Sequence, residues 1–195
     1  MPQAPLPACS VLILAGGRGQ RMGGQDKGLL EWQGRPLVSY AAALARPFSD
    51  DLIISCNRNA DVYAGFADHL VQDDSADFPG PLAGIRAGLA AARHTHLLVL
   101  PCDAPRLEAD LLERLLRASA AAPDVVHMLR CGTQWEPLFS IIPVALRAQV
   151  EEAWDQGDRS PRHVFSHLGL QAVECPADDP RLANLNTPEL LYHAR

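Results

Sequence analysis

Three cations, Arg18, Arg21 and Lys27, stand inside a loop (16–28) that also holds six glycines and follows the apolar run "SVLILA" (10–15). Bare peptide N–H groups at the end of a strand make a nest for anions, and fixed positive charge strengthens it. A second apolar run, "HLLVLPCD" (96–103), ends on the carboxylate of Asp103. A hard oxygen ligand in that place suits Mg2+, which keeps several waters and otherwise binds substrate phosphates. Asp103 could instead cap a following helix, where aspartate is also favoured.

Two familiar phosphate loops fail to match. The dinucleotide pattern G-x-G-x-x-G, counted from Gly17 and Gly19, requires glycine where Met22 stands. The Walker pattern requires lysine after Gly24 and serine or threonine after Lys27, and the chain has Gln25 and Gly28 there. What remains is a long cationic loop, and a loop of about 12 residues or more without structure of its own tends to be functional or disordered. Arg supplies a rigid fork and Lys a point charge toward a phosphate.

Other chemistry-bearing residues admit plainer readings. Asp73 and Asp74 open the glycine- and proline-rich "DDSADFPGPLAG" (73–84) and could be turn residues. Asn57 ends a strand with an amide able to donate and accept, useful for reading a base or ribose edge. His163 and His167 have the i, i+4 spacing of a metal pair, but the glutamate of H-E-x-x-H is absent, which favours a surface helix. Cys102 reads as a small buried residue, and Arg159, Ser160 and Arg162 as either a phosphate contact or a capped helix start.

Short leucine-rich or β-branched runs alternate with alanine-rich segments, the rhythm of an α/β sheet. Strands are predicted at 10–15, 51–57, 69–74 and 96–103, and crossover helices at 36–46, 81–94 and 106–122. Beyond Pro123, "DVVHMLR" (124–130) and "PLFSIIP" (137–143) read as a hairpin about "CGTQ", followed by helices at 144–157 and 160–169, the second with Ser160 as cap and Pro161 first inside. "TPELLYHA" (187–194) opens with a similar Thr-Pro start.

The 195 residues predict one domain, and a net charge of −6 from 17 Lys plus Arg against 23 Asp plus Glu gives no general attraction to nucleic acid or anionic membrane. Five scattered cysteines without a C-x-x-C pair point to a reduced, cytoplasmic setting. No run approaches the roughly 18 apolar residues of a membrane span, so a soluble protein is expected.

"LAGGRGQRMGGQDKG" (14–28) resembles the signature loop of nucleotidyltransferases with a glycosyltransferase-A-like fold, roughly L-A-[GA]-G-x-[SG]-x-R-M-G-x-x-K. Gly16, "GGQDK", "SCNRN", "DDSADFPGPLAG", "PCDAP" and "NLNTPEL" resemble, in order, the molybdenum cofactor guanylyltransferase branch. The resemblance implies a three-layer α/β/α domain like those that transfer nucleotide-diphospho-sugars, with a mostly parallel sheet and a small antiparallel addition. It implies a nucleotide-binding half (about 10–105) and an acceptor half (about 106–195). The implied reaction is transfer of GMP from GTP to the phosphate of molybdopterin bearing molybdenum, with Mg2+, in a monomer that meets cofactor-biosynthesis proteins and molybdoenzymes transiently.

The residues carried over are Arg21, Lys27 and Asp103 as catalytic, with Asp103 the metal ligand. Leu14, Ala15, Gly16, Gly17, Gly23, Asn57, Asp73 and Gly80 are carried over to the nucleotide, and Asn184 and Asn186 to the acceptor. Glycine at position 16, where cytidine-using relatives carry alanine, leaves space for a purine. Segment 124–135 fits the family pattern poorly, so acceptor residues there are undetermined. A nucleotidyltransferase for another base or acceptor, and a nucleotide-binding module without turnover, are the rival readings.

Overall fold

The computed structural model describes residues 6–16, 25–72 and 80–185. The expectations for Gly17, Arg18, Arg21, Gly23, Asp73, Asp74 and Asn186, and the helix at 187–194, lie outside the described residues.

Strand β1 (Ser10–Leu14) is buried at every position except Leu14, as a central strand covered on both faces must be. A two-residue turn, Gln33–Gly34, joins β2 (Glu31–Trp32) to β3 (Arg35–Pro36), with positive φ at both turn positions (49° and 74°) as a type I′ turn requires. Then come α1 (Leu37–Ala45), β4 (Leu52–Ser55), a one-turn α2 (Ala60–Tyr63) and β5 (His69–Val71). The chain continues through α3 (Pro81–Ala91), β6 (His96–Pro101) and α4 (Ala109–Ala121). The second half adds β7 (Val126–Cys131), β8 (Gln134–Pro143), α5 (Arg147–Asp155), α6 (Pro161–His167) and β9 (Leu170–Cys175).

The large sheet has the order β5-β4-β1-β6-β8-β7-β9. All neighbours are parallel except β8, which runs antiparallel to both β6 and β7. Helices α1 and α4 cover one face, through Val38, Ala42, Leu111 and Leu115. Helices α3, α5 and α6 cover the other, through Leu82, Ile85, Val150 and Phe165. The result is the expected three-layer α/β/α arrangement, each fully buried aliphatic side chain contributing about 1.5–3 kcal/mol. At the edge where the strands begin, fully buried Asp51 accepts from Ser10 Oγ (2.5 Å), Arg93 N (2.9 Å) and Arg93 Nε (3.0 Å).

After β1 the chain builds outward to β4 and β5, then α3 carries it back across to β6 on the other side of β1. The strand order thus reverses between β1 and β6, and ligands of open α/β sheets bind beyond the carboxyl ends of the strands at such a switch point. Loop 16–28 and Asp103 follow those two strands.

Candidate functional site

Lys27 opens a 3-10 turn (Lys27–Leu29), and its ammonium forms an ion pair with the carboxylate of Asp103. The two are 76 positions apart in sequence, and the Asp103 side chain is only 10% exposed, so the pair is shielded from bulk water. Asp103 stands two residues beyond β6, and the next helix is preceded by Glu108, which leaves Asp103 outside the capping role. Backbone bonds fix it from both sides: Cys102 N donates to the Leu14 carbonyl (3.2 Å), and Leu185 N donates to the Asp103 carbonyl (2.9 Å). Leu185 is in turn packed with Trp32 and Leu37, so the β2–β3 hairpin anchors the closing segment above the site.

Beside this pair, Ala15 N donates to the Ser55 carbonyl (2.9 Å), which brings the ends of β1 and β4 together. Gly16 is exposed, and a Cβ built on it would lie 3.7 Å from the Ser55 carbonyl and 3.9 Å from Asn57 Nδ2. Leu14, Ala15, Gly16 and Asn57 therefore share one rim. Gly80 precedes α3 with φ +98° and ψ −178°, a backbone region essentially reserved to glycine, and Pro81 follows in the first helical turn. Helix α3 lies close on the strands because Gly84 faces Leu14 and Ser55 and Gly88 faces Leu12. The loop of Arg159 reaches Gly80, with the Arg159 carbonyl 4.0 Å from a Cβ built there, and the Arg159 guanidinium stacks 3.7 Å over Trp154.

Asn184 has a buried Oδ1 without a hydrogen-bond partner among the described residues, next to the Leu185 bond to Asp103. On the same edge of the sheet, beyond the ends of β7 and β9, a cavity of about 450 Å3 is bordered by Cys131, Thr133, Glu136, Asp179 and Ala183. Burial raises the Glu136 carboxyl above its usual range, and the Arg181 guanidinium lowers that of Asp179. A wider groove of about 690 Å3 between Cys9, Arg46, Asp50 and His94 lies at the opposite edge, away from Asp103.

The plainer readings of several residues hold. Ser160 caps α6 by accepting from His163 N (3.3 Å), with Pro161 following. His163 Nδ1 pairs with Asp158, and His167 Nδ1 meets the His163 carbonyl (2.9 Å) on an exposed face. Cys102 is buried, and burial pushes its thiol well up. Sequence reasoning missed Asp26, Asn59 and Tyr63, which meet behind Lys27. An acid inside a cationic, glycine-rich loop was the available signal.

Residues 11–173 match the family model of the MobA-like NTP transferase domain. A molybdenum cofactor guanylyltransferase of Pseudomonas paraeruginosa is 69% identical over 191 residues, which is 98% of this chain and 96% of that protein. Molybdopterin-guanine dinucleotide biosynthesis protein A from Archaeoglobus fulgidus has the same fold, with TM-score 0.76 at 23% identity over 95% of this chain and 96% of that one. So does 2-C-methyl-D-erythritol 4-phosphate cytidylyltransferase from Thermus thermophilus, with TM-score 0.72 at 18% identity over 96% and 97%. Shared architecture reaches cytidylyltransferases as well, but sequence identity along almost the entire length narrows the kinship, and the chain belongs to the MobA-like NTP transferase family as a nucleotidyltransferase akin to the molybdenum cofactor guanylyltransferases.

Proposed function

We propose that this chain transfers GMP from GTP to the phosphate of molybdopterin bearing molybdenum, giving the guanine dinucleotide cofactor and pyrophosphate. The observation that carries the reading is the Lys27–Asp103 pair at the β1–β6 switch point, a half-buried cation on a buried carboxylate of the kind phosphoryl transfer needs. One acceptor phosphate oxygen attacks the α-phosphorus of GTP, the bond to the α,β-bridging oxygen breaks, and pyrophosphate leaves with that electron pair. The attacking phosphate is already ionised, so no strong general base is required. The protein's work is alignment and neutralisation of charge.

Arg21 and Lys27, with the N–H groups of Gly16, Gly17 and Gly23, hold the triphosphate and steady the departing pyrophosphate. The Lys27 ammonium exchanges Asp103 for phosphate oxygens when nucleotide arrives. The backbone of Leu14, Ala15 and Gly16 and the amide of Asn57 read guanine, in a rim where a methyl group on Gly16 would project toward Ser55 and Asn57. Asp73 contacts the nucleotide, and Gly80 does so from the start of α3. Asn184 and Asn186 face the acceptor, and the buried Asn184 Oδ1, without a partner among the described residues, supports that role. The cavity bordered by Cys131, Glu136 and Ala183 has a volume in the range of small-ligand pockets and supports pterin binding in the second half.

Mg2+ fits this donor set: Asp103 offers one shielded carboxylate, and Mg2+ is commonly held by one or two carboxylates with phosphates and waters completing its shell. When bound, it would neutralise charge on the triphosphate oxygens. The chain acts as one domain and a monomer in the cytoplasm, with a nucleotide half at about 10–105 and an acceptor half at about 106–195. It contacts cofactor-biosynthesis proteins and molybdoenzymes transiently, and binds neither nucleic acid nor membrane; among the described residues no helix is long and apolar enough to cross a bilayer.

Incubation with GTP, Mg2+ and molybdopterin bearing molybdenum tests the reading. A pterin heavier by one GMP, with pyrophosphate released only when acceptor is present, is the expected result. Transfer from CTP in preference to GTP would overturn the guanine assignment, and nucleotide binding without pyrophosphate release would leave a binding module.

A further inference from the structure

The acid in the middle of this cationic loop is a puzzle. Asp26 immediately precedes Lys27, and a free carboxylate there would repel a triphosphate and compete for the ammonium meant to hold it. The structure turns it away. Asp26 occupies the cap position of the Lys27–Leu29 turn without capping it by its side chain. Its Oδ1 instead accepts from the Tyr63 hydroxyl, and its Oδ2 from Asn59 Nδ2 (2.8 Å). Tyr63 is fully buried at the end of α2, and Asn59 enters α2 in the left-handed conformation (φ 52°). On its other side the turn is pressed against the same ring: a Cβ built on Gly28 would collide with the Tyr63 hydroxyl and lie 3.2 Å from its Cε1 and Cζ. Burial, then Asp26, keeps the phenol protonated, so it remains a donor. No step of the reaction uses this hydroxyl.

We propose that Tyr63, acting through Asp26, is a positioning residue for Lys27: it withdraws the neighbouring carboxylate and fixes the turn so that the ammonium faces Asp103 and the phosphates. The α2 segment, which carries no substrate contact, thereby sets the affinity of the site for nucleoside triphosphate. The proposal rests on the reading of Lys27 as a triphosphate cation, and the test separates the two.

The measurement is the Kd of a fluorescent N-methylanthraniloyl GTP with Mg2+, in wild type, Tyr63→Phe, Lys27→Ala and the double variant. Tyr63→Phe keeps the ring and its packing and is expected to weaken binding about 10-fold, the scale of one lost hydrogen bond to a charged group. In the Lys27→Ala background the same change is expected to alter Kd less than about twofold, because its effect passes through Lys27. Asp26→Asn retains a carbonyl for the Tyr63 hydroxyl and is expected to bind near wild type, whereas Asp26→Ala loses the bond that fixes the turn but frees no carboxylate, and is expected to weaken binding about threefold, less than Tyr63→Phe. Equal losses from Tyr63→Phe in both backgrounds would overturn the proposal alone. Lys27→Ala with wild-type affinity would overturn the reading of Lys27, and the proposal with it. Should Tyr63→Phe melt many degrees lower, the Asp26→Asn and Asp26→Ala pair decides, and equal affinities for the two overturn the proposal.

Discussion

Alanine at Gly84 and at Gly88, introduced one at a time, tests whether close approach of α3 to the sheet sets the nucleotide rim. A Cβ at Gly88 would lie 2.6 Å and 3.0 Å from the two terminal methyls of Leu12, a side chain with no exposed surface and therefore nowhere to swing. Overpacking of this kind costs about 1–3 kcal/mol. Alanine recovers about 1 kcal/mol of helix propensity, so a net loss of about 1 kcal/mol is expected. In a chain of this size that lowers Tm by about 3 °C. At Gly84 the new Cβ would lie 2.7 Å from Leu14 Cδ2 and 2.8 Å from Ser55 Oγ. The half-buried Leu14 tip can give, but Ser55 is almost fully buried, so part of the strain moves the strand ends beside Gly16. Small displacements of positioning groups are expensive for alignment, up to about 10²-fold for about 1 Å. We expect Gly84→Ala to raise KM for GTP about tenfold and Gly88→Ala to change it less than about twofold, with similar losses of Tm. Steady-state pyrophosphate release and thermal denaturation read both quantities. A Gly88→Ala variant more stable than wild type, or equal KM effects from the two, would refute the reasoning.

Three further outcomes follow from single features of the structure. Asp103→Asn removes the charge that meets Lys27 and that, on the proposed reading, would hold the divalent ion, and is expected to lower kcat by about 10²–10³ with Tm changed little, measured by pyrophosphate release. Burial alone would raise the Asp51 carboxyl, but the Ser10 hydroxyl and Arg93 outweigh it and hold the carboxyl below its usual range. Its stabilisation is therefore fully present above about pH 4 and is lost as pH falls through the depressed folded value. Asp51→Asn is expected to lose about 2–3 kcal/mol at pH 7 in urea unfolding, the gap from wild type closing below pH 4. Burial pushes the thiols of Cys9 and Cys175 up to about 12 and Cys56 up to about 11, while Cys131 alone among the five is only half-buried. Alkylation of the native protein at pH 8, mapped by mass, should mark Cys131 first, and first labelling at Cys102 would contradict the burial argument.

Much of the first half was legible because its signals are local. Apolar runs at 10–15 and 96–103 read as covered strands, and Pro81 as the first turn of a helix, and both readings match the fold. The hairpin about "CGTQ" and the Ser160 cap carry their signals within a few residues, and both formed. The edge strand β9 was missed, because its outward residues Gln171 and Glu174 and its half-covered Leu170 and Ala172 dilute the apolar pattern. The β2–β3 hairpin was missed as well: two-residue strands have no periodicity, and only the turn pair Gln33–Gly34 marked it. The predicted helix at 144–157 begins as a 3-10 turn (Val144–Leu146) before α5. At the site, residue types announced Lys27 and Asp103, but their contact comes from the β1–β6 pairing, a long-range fact. The Tyr63–Asp26 bond spans 37 positions, so the acid in the loop gave no hint of its partner.

The most direct test of the central claim is diffraction from crystals grown with Mn2+ and a non-hydrolysable GTP analogue, using the anomalous signal of the metal. The account predicts a manganese peak on the Asp103 carboxylate, the triphosphate along loop 16–28, and the Lys27 ammonium turned from Asp103 onto phosphate oxygens. A triphosphate and metal bound elsewhere, with the Lys27–Asp103 pair intact, would contradict it.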